Sequence, residues 1–327
     1  MSRDLDLMTT QLRAWLPDGR HLTSIVALST GHSNETYLLE GCDAVLRMPP
    51  SEVGLLPPYD MTAQYALLDR VSQVTGGPPV PRVRALCEDP TVLGDPFFVM
   101  DRAPGESFDH PQVPSWLLAA TPEVRGEMCR QWLAAVVAVS TIPVQEMVGV
   151  PVRLPAEEAA HWAAVAREVD APEALLVLLD DLVRHPPASS GALTAVHGDT
   201  RHANCLWSGG RLTAFVDWEL AQVGDPMLDL GNVLAYFPDG LTPAITAGFD
   251  LDGWWDRKQV IEAWELGTGR DAVDAARWEG LAMSRLAAIL AVGAHLFDTG
   301  QATDLRFQTW RDTLPLYLQL IEVRLVL

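Results

Sequence analysis

"AVHGDTRHANCLWSGGRLTAFVDWELAQVGDP", residues 195–226, sets three acidic or amide side chains, Asp199, Asn204 and Asp217, at the ends of short apolar runs. The run "LTAV" brings the chain in as a strand, and "HGD" turns it so that Asp199 stands on a loop. The segments "CLW", "SGG" and "LTAFVDW" read as a hairpin that delivers Asp217. Two carboxylates and an amide presented at strand ends suit a hard, oxygen-preferring cation such as Mg2+.

Working outward, 327 residues with 48% hydrophobic content are enough for a substantial core, in one large or two modest domains. The chain carries 43 acids against 23 bases, a formal net charge of −20. That balance repels nucleic acid and anionic membrane, so neither is expected as a partner; it could attract a cationic ligand, and solubility explains it equally well. Apolar stretches such as "LAAILAVGAHLF" read as too short and too interrupted to cross a bilayer. The start "MSRDLDLMTTQLRAWL" has acids where a signal peptide would have bases, which makes the cytoplasm the expected compartment. Cys42, Cys87, Cys129 and Cys205 lie far apart with no paired spacing, so they read as packing residues. Almost every base is arginine, and the single lysine is Lys258.

The first hundred residues alternate β-like runs with turn signals. "LTSIVALS", "TYLLE" and "AVLRM" predict three successive antiparallel strands, and "RALCE" and "PFFVM" two more. Between them, Met61, Gln64, Leu68 and Val71 recur at helical spacing, which places Gln64 on the inward stripe. From Pro104 onward the pattern turns helical, in "EMCRQWLAAVVAVSTI", "AEEAAHWAAVAREV" and most of the last eighty residues, with the opening stretch as a β-rich island. The expected fold class is α+β, in two lobes: residues 1–102, mostly sheet, and residues 103–327, mostly helix.

A cation held beside a loop aspartate points to phosphoryl transfer. There, one Asp orients or deprotonates the attacking hydroxyl, while an Asn and a second Asp hold the metal that bridges the nucleotide phosphates. A catalytic-loop Asp, an Asn five residues on and a further Asp on the next hairpin is the kinase order. With "HGDTRHAN" and "VDWELAQVGDPMLDL" in view, the sequence resembles the aminoglycoside phosphotransferase and choline kinase superfamily, which has a protein-kinase-like fold. The "DWELAQVGDP" form is most similar to the bacterial phosphotransferase branch and to the kinase-like domain of some acyl-CoA dehydrogenase fusions. The likeness is specific from about residue 25 to 235.

The resemblance implies Asp199 as catalytic base, Asn204 and Asp217 as magnesium ligands and His197 as a loop-orienting residue. Asp229 would bond the catalytic-loop backbone. Arg201, two after the base, would either neutralise charge on the transferring group or stand as a solvated loop residue. In the small lobe, "STGHSNETYLL" looks like the family's turn over the phosphates, with Gly31 permitting the bend and amides around Ser33 and Asn34 facing a phosphate. Arg47 in "AVLRM" occupies the strand position where many kinases carry the phosphate-gripping lysine. Many relatives pair that base with a helix Glu, whereas this chain offers Gln64; an amide can bond Arg47 but makes no ion pair, so Arg47 would sit more loosely or depend on another acid.

The base of the nucleotide would lie against "FFVMDRAPGE", with backbone groups of Met100 to Arg102 bonding adenine; ATP is the expected donor, GTP the other. The acceptor is expected to be a small hydroxyl compound. An amine sugar is favoured by the acidic charge, and a metabolic compound such as a hydroxyacyl thioester by the subfamily likeness. A nucleotide-binding protein without turnover is a second class, and a helical interaction protein with no ligand, which needs the Asp, Asn, Asp constellation to be accidental, a third. Trp254, Trp255, Trp264 and Trp278, near Glu279, read either as core or as a stacking surface for a cation.

Overall fold

The structure is a computed structural model that describes residues 3–29, 33–108, 113–238 and 248–326. Five antiparallel strands form the small lobe: β1 (Ser24–Ser29), β2 (Glu35–Glu40), β3 (Ala44–Met48), β4 (Val83–Cys87) and β5 (Phe97–Asp101), in spatial order β1-β2-β3-β5-β4. β3 and β5 are interior strands covered on both faces, so they read as near-continuous apolar runs. The polar exception in β3 is Arg47, opposite Phe98 of β5. The strand period of two places Arg47 on the same face as Val45. That face packs, through Val45, Phe98 and Met100, against Met61, Leu67, Leu68 and Val71 of α2 (Met61–Ser72).

The other face is covered by α1 (Leu5–Trp15), so the small lobe holds a second long helix that the sequence reading did not anticipate. The signal for it is present: Asp4 caps the first turn by accepting from Asp6 N and Leu7 N, and Met8, Leu12 and Leu16 recur every fourth residue and are buried. Trp15 meets Phe97 edge-on with ring centroids 4.9 Å apart. A single turn, α3 (Pro90–Leu93), joins β4 to β5.

The larger lobe contains α4 (Ser115–Ala119), α5 (Pro122–Val139), α6 (Pro155–Glu168), α7 (Glu173–Arg184), α8 (Met227–Leu234), α9 (Arg257–Thr268), α10 (Ala275–Asp298) and α11 (Leu305–Val326). Set among them are β6 (Thr194–Val196) paired with β9 (Gln222–Gly224), and the hairpin of β7 (Cys205–Ser208) and β8 (Arg211–Phe215). Helix α10 is the axis of this lobe, packed by α6, α8 and α11. It corrects the expectation that no segment is long and apolar enough to span a bilayer: by length and composition alone α10 passes. Its side chains are instead largely inside the fold, where Glu279 pairs with Arg257 and Arg324, and Arg285 lies 2.8 Å from Glu158.

The tryptophans divide along the core reading. Trp264 and Trp278 are buried, and Trp254 stacks on Phe249 at 4.8 Å. Trp255 packs against the main core and takes the Cys129 sulfur as acceptor for its backbone amide at 3.5 Å. All four cysteines are buried.

Candidate active site

The loop after β6 carries the first half of the site. Gly198 takes φ +81°, and a Cβ there would collide with the Leu220 carbonyl, so the turn needs glycine. Asp229, at the start of α8, holds this turn: its carboxylate accepts from His197 N at 2.8 Å and Gly198 N at 2.9 Å. Burial pushes Asp229 up to about 6, so at neutral pH it remains ionised and pays for its desolvation through those bonds. One turn further along α8, Asn232 donates to the Gly198 carbonyl at 3.0 Å, and Trp132 of α5 donates to the Thr200 carbonyl at 2.8 Å. The sequence reading found Asp229 and missed the other two.

Asp199 is thereby presented with its side chain 19% exposed. Asn204 Nδ2 donates to both the Asp199 carbonyl and Asp199 Oδ2, each at 2.8 Å. Both partners are acceptors, which fixes the NH2 toward Asp199 and leaves Asn204 Oδ1 as an uncommitted acceptor. Arg201 Nε lies 3.1 Å from Asp199 Oδ2.

The second half comes from the end of β8. Val216 N donates to the Asn204 carbonyl at 2.8 Å, which sets Asp217 beside Asn204. Asp217 adopts φ 70°, ψ 65°, a left-handed conformation that costs a non-glycine residue about 1–3 kcal/mol and is kept where the surroundings dictate it. His197 ties the two halves: its Nδ1 accepts from Asp199 N at 3.2 Å and its Nε2–H donates to the Val216 carbonyl at 3.1 Å, with its ring stacked on Phe215 at 4.3 Å. Burial depresses His197 to about 4, so it is neutral, and at 0% exposure it touches no ligand; its part is positioning.

Arg47 reaches across the cleft. Its Nη2 bonds Asp217 Oδ1 at 2.8 Å and also Glu219. Glu219 in turn accepts from Asn34 Nδ2, and the Ser33 side chain also favours its charged form. Desolvation in the cleft and then the Asp217 charge push Glu219 up to about 7. Desolvation alone would raise Asp217 too, but Arg47 beside it brings Asp217 down.

Among the expected nucleotide-facing residues, Ser33, Asn34 and Arg47 therefore come together, but on Glu219, which the sequence reading did not single out. Gln64 lines a small pocket with Arg47, Met100 and Asp217 yet makes no hydrogen bond to Arg47; the acid on which Arg47 depends comes from the other lobe. Arg102 departs from expectation. Its amide donates to the Asp43 carbonyl and that of Asp101 to the Arg82 carbonyl, because β5 still pairs on both sides there. Among the described residues the first uncommitted amide after β5 is that of Ala103. Met100 contributes its side chain to the pocket wall. Gly31 lies outside the described residues. No cluster of three or more His, Cys, Asp or Glu side chains with metal-ligand geometry occurs among the described residues.

A five-stranded lobe set over a helical one, with a loop Asp and Asn facing a second Asp across a hairpin, defines the class of protein-kinase-like folds. The chain belongs to the phosphotransferase enzyme family (APH), whose profile matches residues 24–262. It is 28% identical over 247 residues to mouse acyl-CoA dehydrogenase family member 10, a match that covers 72% of this chain and 22% of that protein. The chain thus spans about a fifth of that relative's length. Among solved structures, a candidate aminoglycoside phosphotransferase of Ralstonia eutropha superposes with TM-score 0.75 at 23% identity, over 97% of this chain and 98% of that one. A thermostable aminoglycoside phosphotransferase APH(4)-Ia, in complex with AMP-PNP and hygromycin B, superposes with TM-score 0.56 at 15% identity, over 90% and 93%.

Proposed function

We propose that this protein is an ATP-dependent small-molecule kinase that moves a γ-phosphoryl group to an acceptor hydroxyl. The observation that carries the reading is the pairing of Asp199 with Asn204, which turns the Asn204 amide nitrogen rather than Oδ1 toward Asp199, while the Val216 amide, next to Asp217, bonds the Asn204 carbonyl. One amide oxygen and one carboxylate form the partial, all-oxygen donor set that suits a magnesium ion completed by phosphates and water. Mg2+ held there would neutralise charge on the phosphates during transfer.

The chain's own residues do the rest. Asp199 Oδ accepts the proton of the acceptor hydroxyl as its oxygen attacks phosphorus, and the nearby Arg201 guanidinium offsets charge on the transferring group. Arg47, with Ser33 and Asn34, grips the phosphates from the sheet side. His197 and Asp229 hold the loop so that Asp199 keeps its aim. The bound complex of the APH(4)-Ia neighbour with an ATP analogue supports a nucleotide in the corresponding cleft.

The acceptor is a hydroxyl-bearing small molecule. Likeness to an acyl-CoA dehydrogenase family member favours a metabolic hydroxyl compound, and the aminoglycoside phosphotransferase neighbours favour an amine sugar. ADP production from ATP and Mg2+, measured over a panel holding both classes, tests the reading. Acceptor-dependent turnover that Asp199→Ala abolishes is expected. Turnover by the variant at the parent rate would remove Asp199 from the reaction, and Mg2+-dependent ATP binding with no turnover on any acceptor would leave a nucleotide-binding protein.

A further inference from the structure

Ser33, Asn34 and Arg47 belong to the sheet lobe and converge on one carboxylate of the opposite lobe, that of Glu219: Asn34 and Arg47 donate to it directly, and the Ser33 side chain favours its charged form. Asn34 is 3% exposed and the Arg47 side chain 13%, so donors on these groups left without an acceptor would be costly. Helix α2 supplies no acid to Arg47; among the described residues its ion-pair partners are Asp217 and Glu219. These donors therefore need an acceptor at this point of the cleft, and in the nucleotide-free protein the chain provides its own.

We propose that Glu219 stands in for the nucleotide phosphates, holding Ser33, Asn34 and Arg47 across the cleft until a triphosphate displaces it. The inference rests on the nucleotide-binding reading of the same site. A carboxylate offers two oxygens with about four acceptor positions, and a phosphate group offers the same donors a similar set. Nucleotide binding is then the exchange of one anion for another rather than the filling of an empty cradle. The closed contact is also incompletely satisfied: among the described residues, Asn34 Oδ1 and Arg47 Nε are buried without hydrogen-bond partners. Buried polar groups in a permanent contact are normally paired, so a half-satisfied cluster fits one that is remade when the ligand arrives.

The test is ATP affinity with the metal removed by chelation, where ligation of Mg2+ plays no part. Glu219→Gln removes the competing charge at nearly constant shape, and the metal-free affinity should rise about tenfold, the size of one charge-assisted hydrogen bond. A structural lesion would not tighten binding. Glu219→Ala, which also removes the competitor, should shift affinity in the same direction and serves if the Gln variant does not fold. Unchanged or weaker metal-free affinity in a folded variant overturns the proposal. So does a loss confined to Mg2+-containing buffer, which would make Glu219 a metal ligand instead. A parent protein that binds no ATP even with Mg2+ refutes the site reading as well, whereas a parent that binds Mg2+ and ATP beside an unshifted variant refutes only the stand-in.

Discussion

Asp199 Oδ2 accepts from Asn204 Nδ2 and has Arg201 Nε at ion-pair distance, 3.1 Å, so its carboxylate is oriented before any acceptor arrives. Replacing it by Asn keeps the shape and removes the base. Asp199→Asn should lower kcat by about 10²–10⁴-fold with nucleotide affinity nearly unchanged, as single-turnover kinetics beside calorimetry would show. Retained kcat would exclude Asp199 as proton acceptor. Arg47→Ala should weaken Mg2+-dependent ATP binding by about tenfold or more, measured by calorimetry on a variant whose circular dichroism matches the parent, because the guanidinium is the sheet lobe's cation beside Asp217. Undiminished affinity would assign the phosphate grip elsewhere. At this scale the sequence was most legible for Asp199, Asn204 and Asp217, since all three lie on one strand-loop-hairpin segment whose spacing the chain itself displays. Glu219 was not legible: its partners Arg47 and Asn34 are more than 170 positions away, and only the closure of the two lobes brings them together.

At the scale of elements, the catalytic loop is held by the first turn of α8. Asp229→Ala would leave the buried His197 and Gly198 amides without acceptors, and should cost about 2–4 kcal/mol in denaturant unfolding and remove activity together. A stable, inactive Asp229→Ala variant would show that the loop is held by other means. Just past the loop, His202 is 1% exposed among Phe108, Trp132, Tyr236 and Phe249, with neither ring nitrogen hydrogen-bonded among the described residues. Burial, with Arg201 nearby, depresses it to about 3 from the ordinary 6.5. The unfolded chain therefore binds a proton that the folded chain refuses, and stability is lost as pH falls below 6.5. Between pH 7 and pH 5 the parent should lose about 2 kcal/mol relative to His202→Phe. Parallel stability curves for the two would place a partner on the ring. The strands of the small lobe were readable from alternation and turns, whereas α1 was obscured because its Met8, Leu12 and Leu16 stripe falls in a segment read for targeting signals. That the Arg102 amide is already engaged by the Asp43 carbonyl was hidden for a similar reason: where β5 stops pairing is a tertiary fact.

For the whole molecule, one apolar cluster runs from Val45, Phe98, Met100 and α2 of the sheet lobe into the helical lobe, and the polar contacts of Arg47 and Asn34 with Asp217 and Glu219 lie beside it across the cleft. The α+β class and the order of sheet before helices were visible in the sequence, because periodicity changes from two to helical after Pro104. The role of α10 as a buried axis was not, since a 24-residue apolar helix reads alike in a protein core and in a bilayer until its Glu279 and Arg285 partners are placed. The account as a whole depends on a divalent cation joining Asn204 and Asp217 to a triphosphate. Calorimetric titration of ATP into the parent and into Asp217→Asn, each with Mg2+ and with chelator, measures that directly. The parent should bind ATP at least about tenfold more tightly with Mg2+, and Asp217→Asn should lose that gain while staying folded. Equal affinity with and without the metal in the parent, or an undiminished metal effect in the variant, would contradict it.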